Sequence, residues 1–181
     1  IIETLNTRTE ETKEHSLRLA NFAVKTIKEL GFTRRSEIED MILLSKVHDI
    51  GKITIQDSVL NKPARLTKFE FEIIKKHCES GYNIIRNITD SDRVCNGVLF
   101  HHEKWDGTGY PQGLKGEEIP LFARVISIVD TYDAMTNDRV YRKAISHEDS
   151  MKEILSCSGT QFDPNIAVSY THLRAHETKA N

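Results

Sequence analysis

Sulfur is scarce in this chain. Its three cysteines, Cys78, Cys95 and Cys157, are odd in number, far apart and without paired spacing. That excludes a disulfide framework and a zinc ribbon, and it suits a reducing cytoplasm. Long apolar runs are missing too: none approaches the roughly 18 residues that cross a bilayer, and no signal-peptide pattern is visible. Neither sign of charge prevails. A net charge of −2 gives no bulk attraction to a nucleic-acid backbone or an anionic membrane, so no DNA or RNA partner is expected. Any phosphate must then be met by a local cluster of cations or metal. Strand signals are few, strands and helices do not alternate, and there is no internal repeat. At 181 residues the chain suits one domain with its own core. It opens at Ile1 rather than Met, and we expect an excised domain or fragment, with a lost upstream sensor or membrane segment left open.

What is present is helical periodicity. Ala20, Ala23, Val24, Ile27 and Leu30 keep the spacing of an amphipathic helix, with Gly31 as its stop. Ser36 with Glu39 reads as a capping box for a helix that runs through Met41–Leu44 and Val47 into His48. Pro63 interrupts. Thr67 with Glu70 reads as a second capping box, opening a helix that carries His77, and another helix is expected over about 92–102. Residues 103–120 collect Gly107, Gly109, Pro111, Gly113, Gly116 and Pro120, which marks a long ordered loop. Val125–Val129 would pass for a strand on propensity alone. Phe122, Val125, Ile126, Val129 and Tyr132 keep helical spacing, so a helix is expected, and one more over about 147–156. The fold class is all-α. The domain is expected to span 1–167. The remainder, 168–181, is polar, lacks an apolar stripe, and resembles translated sequencing-adapter read-through over Ser169–Thr178. We expect it to be non-native and disordered, and set aside its His172 and His176.

Eight histidines are present, and five of them, His15, His48, His77, His101 and His102, fall at expected helix ends or on polar faces. Singly, each is more often an ordinary surface or core residue. Together they are more informative. His48-Asp49 offers an adjacent imidazole and carboxylate, with Lys52 four residues after His48 on the same helical face, suited to a phosphate. Glu11 and His15 are four apart and point to one side. Tandem His101-His102 directly precedes the glycine-rich loop. Asp130 stands inside an apolar helix, where a buried carboxylate needs a cation or metal partner. Five imidazoles and at least two carboxylates suit iron, manganese or zinc. Two such ions about 3.5–4 Å apart can acidify a shared water and clamp a phosphoryl group.

These residues fall in recognisable runs. His48-Asp49-Ile50-Gly51-Lys52-Ile53 resembles the signature of HD-superfamily phosphohydrolases, and His101–Pro111 resembles the second signature of the HD-GYP family. The resemblance continues in order through Gln112–Gly116, Ile119-Pro120, Ala123-Arg124, Asp130–Thr136, Asp138-Arg139 and Gly159–Pro164, covering about residues 8–167. It implies a bacterial cytoplasmic hydrolase of cyclic di-GMP, forming pGpG and possibly GMP, on an HD-type helical bundle with two or three iron or manganese ions. By position it implies His15, His48, Asp49, His77, His101, His102 and Asp130 as metal ligands, and Glu11 as the glutamate of the three-metal variety. Lys52, Arg139 and Arg142 match positions that meet the nucleotide, and Gly109-Tyr110-Pro111, the naming tripeptide, is expected to bind substrate with them. Asp49 and Lys52 would carry the chemistry, and Asp133 would support the site. An upstream sensor or receiver domain and a diguanylate cyclase domain are the implied partners. Two departures stand out: Ser45-Lys46-Val47 precedes His48 where small apolar residues are usual, and the helix expected after Pro164 runs into the odd tail. Two other readings stay open, hydrolysis of another cyclic dinucleotide and a non-catalytic docking or ligand-sensing module.

Overall fold

In the computed structural model residues 13–138 and 143–179 are described, with side chains as far as 174. Nine α-helices are present among them: α1 (Lys13–Glu29), α2 (Arg35–Val47), α3 (Asp57–Leu60), α4 (Lys68–Lys75), α5 (His77–Ile85), α6 (Asp92–Phe100), α7 (Leu121–Thr136), α8 (His147–Ser156) and α9 (Pro164–Lys179). Short 3₁₀ turns cover Ile50–Thr54 and Gly116–Glu118. No strand occurs among the described residues; one isolated bridge joins Ser158 to Phe162. The all-α expectation holds. No described helix is long and apolar enough to cross a membrane.

Helix α7 is the axis. It packs against α1, α2, α6, α8 and α9, and buries Phe122, Ala123, Val125, Ile126, Ile128, Val129, Tyr132, Asp133 and Met135. This explains why Val125–Val129 is helical despite its strand-like composition. β-Branched residues lose at most about 0.7 kcal/mol each in a helix, whereas burying such a side chain contributes roughly 1.5–3 kcal/mol. Burial wins, and a helix clothed on several sides can be apolar nearly all round.

Local signals are met in some places and displaced in others. Thr67 and Glu70 form the expected reciprocal cap, with Thr67 N donating to Glu70 Oε2 at 2.7 Å and Glu70 N donating to Thr67 Oγ1 at 3.2 Å. The cap of α2 lies two residues before the expected one: Arg34 N donates to Glu37 Oε2 at 3.0 Å, and the helix starts at Arg35. The helix expected to carry His77 breaks at Lys76, so His77 opens α5.

At the C-terminus the structure carries helix where the sequence suggests a disordered tail. Residues 168–179 continue α9, which begins at Pro164. Asp163 caps it, Oδ1 accepting from Asn165 N at 2.8 Å, while Arg124 donates to Oδ2 at 2.5 Å. Proline at the first helical position loses no useful donor. Ile166, Ala167 and Tyr170 are buried, and Arg174 donates to the Tyr132 hydroxyl at 2.8 Å. The apolar stripe was invisible when 168–181 was read alone, because half of it lies upstream in Ile166 and Ala167.

Candidate metal centre

The site begins where α2 stops. His48 caps its C-terminus, with N donating to Leu44 O at 2.9 Å, and the chain then tightens into the 3₁₀ turn. Gly51 lies directly on α5: a Cβ there would stand 1.9 Å from His77 O and 2.5 Å from Gly81 N. Only hydrogen fits, and that closeness brings Asp49 to His77. The turn also corrects the placing of Lys52. It shares no α-helical face with His48; it reaches back three residues, Nζ donating to Asp49 Oδ2 at 2.6 Å.

Two groups of side chains converge across Asp49. The first is Asp49, His77, His101 and His102; the second is His15, His48 and Asp130. Within each group the candidate ligand atoms lie within 4.8 Å of one another. Asp49 faces both: Oδ1 is 3.0 Å from His77 Nε2 and 3.6 Å from His101 Nε2, and Oδ2 is 3.4 Å from His48 Nε2. His15 Nε2 is 3.7 Å from Asp130 Oδ1.

The hydrogen bonds behind these rings decide what the front can hold. His77 Nδ1 donates to Ile74 O at 2.7 Å and His101 Nδ1 to Val98 O at 2.8 Å. In a neutral imidazole this leaves Nε2 with its lone pair. Those two Nε2 atoms are 3.2 Å apart, with the Asp49 carboxylate against them. Lone pairs so close repel unless a cation lies between them. His48, 2% exposed, has no hydrogen-bond partner on either nitrogen among the described residues. Burial pushes its pKa down to about 4 despite the nearby carboxylates, so it stays neutral and competent as a ligand. Burial likewise pushes His102 well below the ordinary range. Burial opposes ionisation of Asp49, but the Lys52 ammonium beside it holds its carboxyl well below the usual carboxylate range. Neutral nitrogens and one ionised carboxylate make a donor set that fits a divalent metal.

Supporting residues surround this set. Asp133, 2% exposed, accepts from His15 Nδ1 at 2.7 Å and from Arg18 at 2.6 and 3.0 Å. This fixes the His15 tautomer and turns Nε2 to the centre. For Arg18 the one sequence clue is its spacing of three from His15. Glu103 lies within the second signature and carries no separate signal in the sequence. It is buried, and its Oε1 accepts from Gln112 N at 2.7 Å and Gly113 N at 3.0 Å, folding the loop back on itself. Tyr110 stacks on His102, with ring centroids 4.9 Å apart, and Gly109 lies against the Glu103-Lys104 backbone. Asp130 is corrected from buried to partly open, its side chain 28% exposed. Glu11, Arg139 and Arg142 lie outside the described residues. His147 opens α8 and contacts Tyr132, and His172 is exposed; neither joins the centre.

Comparison with known proteins identifies the family. A family model described as HD domain matches residues 1–166. The chain is 35% identical to a cyclic di-GMP phosphodiesterase of Thermotoga maritima, over 98% of this chain and 50% of that protein. It is also 35% identical to a 3'3'-cGAMP-specific phosphodiesterase of Vibrio cholerae, over 88% of this chain and 31% of that one. Among solved structures, a cyclic GMP-AMP specific phosphodiesterase of V. cholerae superposes with a TM-score of 0.72 at 21% identity, covering 93% of this chain and 45% of that one. The chain thus spans about half or less of the length of these relatives. It belongs to the HD domain family.

Proposed function

We propose that this HD-domain chain hydrolyses cyclic di-GMP in a metal-dependent reaction, giving pGpG and, with a third ion, GMP. The observation that carries the reading is the placing of Asp49 between two groups of ligand atoms, with Lys52 at its outer edge. His77, His101, His102 and Asp49 would hold one ion; His15, His48, Asp130 and the other face of Asp49 a second. Glu11 would serve a third. The oxygen- and imidazole-rich donors favour iron or manganese. When bound, such ions acidify water and neutralise a phosphoryl group.

The chain's own residues supply the rest. Asp49 is ionised and orients the centre. Lys52 is 24% exposed at its side chain, so its ammonium can leave Asp49 for a non-bridging phosphate oxygen. Arg139 and Arg142 would orient the second phosphate or a guanine, and Gly109-Tyr110-Pro111 would border the cleft. An upstream sensor or receiver, a cyclase partner and a bacterial cytoplasmic setting complete the proposal. The equal identity to a cGAMP-specific relative favours one second reading, that 3'3'-cGAMP is the substrate.

The test is anaerobic purification, elemental analysis, and chromatography of reactions with each cyclic dinucleotide. Two or three iron or manganese ions per chain and pGpG from cyclic di-GMP are expected. Faster turnover of 3'3'-cGAMP selects the second reading. Bound metal with no turnover of either nucleotide refutes both.

A further inference from the structure

The imidazoles of the centre are not held alike. His77 and His101 each donate Nδ1 to a helix carbonyl, and His15 donates to Asp133. Among the described residues nothing hydrogen-bonds the imidazole of His102. What fixes that ring is contact with other rings: Tyr110 lies stacked on it at 4.9 Å with an interplanar angle of 28°, and His101 is 4.1 Å away. We propose that Tyr110 is a positioning residue for the metal ligand His102, and that Glu103 is the clamp that keeps Tyr110 in place. This rests on the reading of His102 as a ligand.

The backbone supports the assignment. Residues 103–113 fold back so that Tyr110 N donates to His102 O at 3.2 Å. A Cβ at Gly109 would stand 2.3 Å from Lys104 N and 2.5 Å from Glu103 Cα, so the two arms of the loop touch. The buried Glu103 carboxylate closes the loop by accepting from Gln112 N and Gly113 N. Removing it would leave two backbone donors unpaired. On the outer side, Phe71 of α4 meets Tyr110 edge-on at 6.1 Å and the Lys75 ammonium lies 5.7 Å from the ring centroid. A ring already engaged by His102, Phe71 and Lys75 is a support, not an open platform for a nucleobase. The phenol hydroxyl has no part in this role, so an unsubstituted ring should serve equally well.

The experiment uses the full chain, stripped with chelator and titrated calorimetrically with Mn²⁺ alone. Tyr110→Phe is expected to bind within about twofold of wild type, and Tyr110→Leu about 10–100-fold more weakly, as for other lost supports of metal ligands. Glu103→Ala should resemble Tyr110→Leu, and Glu103→Gln, whose amide oxygen still accepts, should recover most of the affinity. Trp105 is the single tryptophan and sits in this loop. Its emission in metal-free protein should shift in Glu103→Ala and return in Glu103→Gln. Thermal unfolding in chelator identifies any variant that has lost the fold, and the Glu103 pair then decides. Wild-type affinity in Tyr110→Leu and Glu103→Ala overturns the inference, as does a wild-type chain that binds no Mn²⁺. A wild-type chain that binds Mn²⁺ yet leaves cyclic di-GMP intact sinks the substrate reading alone.

Discussion

Gly51→Ala puts the packing of the centre to a sharp test. The added methyl would stand 1.9 Å from the His77 carbonyl oxygen and 2.5 Å from the Gly81 nitrogen. Both are backbone atoms of α5, so no rotamer change relieves the clash. Reaching even a tight contact requires the turn to retreat by about 1 Å, into the repulsive wall at every shorter distance. Two effects compete. Alanine stiffens the unfolded chain, stabilising by about 0.4–1 kcal/mol. Overpacking costs about 1–3 kcal/mol and occasionally more, and backbone on the receiving side places it at the upper end or beyond. The net loss should be about 2–3 kcal/mol, a fall in Tm of roughly 4–12 °C for a chain of this size. The same retreat separates Asp49 Oδ1 from His77 Nε2, now 3.0 Å apart. Mn²⁺ affinity should therefore fall about 10–100-fold. Urea unfolding in chelator measures the first quantity and calorimetric titration the second. A variant as stable as wild type with unchanged Mn²⁺ affinity would show that the turn does not bear on α5 as described.

Three further outcomes are expected. Asp49→Asn keeps the shape but removes the charge that faces both groups of imidazoles, so metal content and turnover should both be lost; elemental analysis showing full metal occupancy would refute its central place. His48 has a folded pKa of about 4 against an ordinary 6.5, so the unfolded chain binds the extra proton. Stability is then fully present above pH 6.5 and is lost as pH falls towards 4, by on the order of 3 kcal/mol in metal-free protein. Urea titrations across that range should slope less in His48→Asn, and identical slopes would count against the burial argument. Tyr170→Ala should cost on the order of 3 kcal/mol, the cavity cost of a fully buried aromatic. A negligible loss in thermal unfolding would return residues 168–179 to the disordered tail that the sequence suggests.

Much of the fold was legible because it rests on local rules. The stripe of α1 and the cap at Thr67 each need only a few neighbouring residues to be recognised. The helical reading of Val125–Val129 was available because helical spacing extends beyond that run to Phe122 and Tyr132. What failed did so at edges, where signals compete. Ser36 and Glu39 satisfy the capping pattern on paper, but the helix starts two residues earlier, where the buried Glu37 carboxylate accepts from Arg34 N. Lys52 was misplaced because the helix was carried past His48. The close approach of Gly51 to α5 forces the tighter turn, and that approach is a tertiary fact.

The centre divides along the same line. Its candidate ligands were legible because imidazoles and carboxylates announce themselves by type, and His48-Asp49 and His101-His102 by adjacency. Their supports were harder to see, since a support is defined by what it touches. His15 and Asp133 are 118 residues apart, and Arg18 reaches Asp133 over 115. The same distinction resolves the two acids of α7. A buried carboxylate needs a partner; of the two, Asp133 is the buried one, and it has its partners in His15 and Arg18. Asp130, one turn earlier and partly open, makes no such pairing as close among the described residues: its approach to His15 Nε2 is 3.7 Å. One carboxylate is thus committed to holding an imidazole in place. The other keeps an oxygen available on the side of His15 and His48, which is where a second ion would need it.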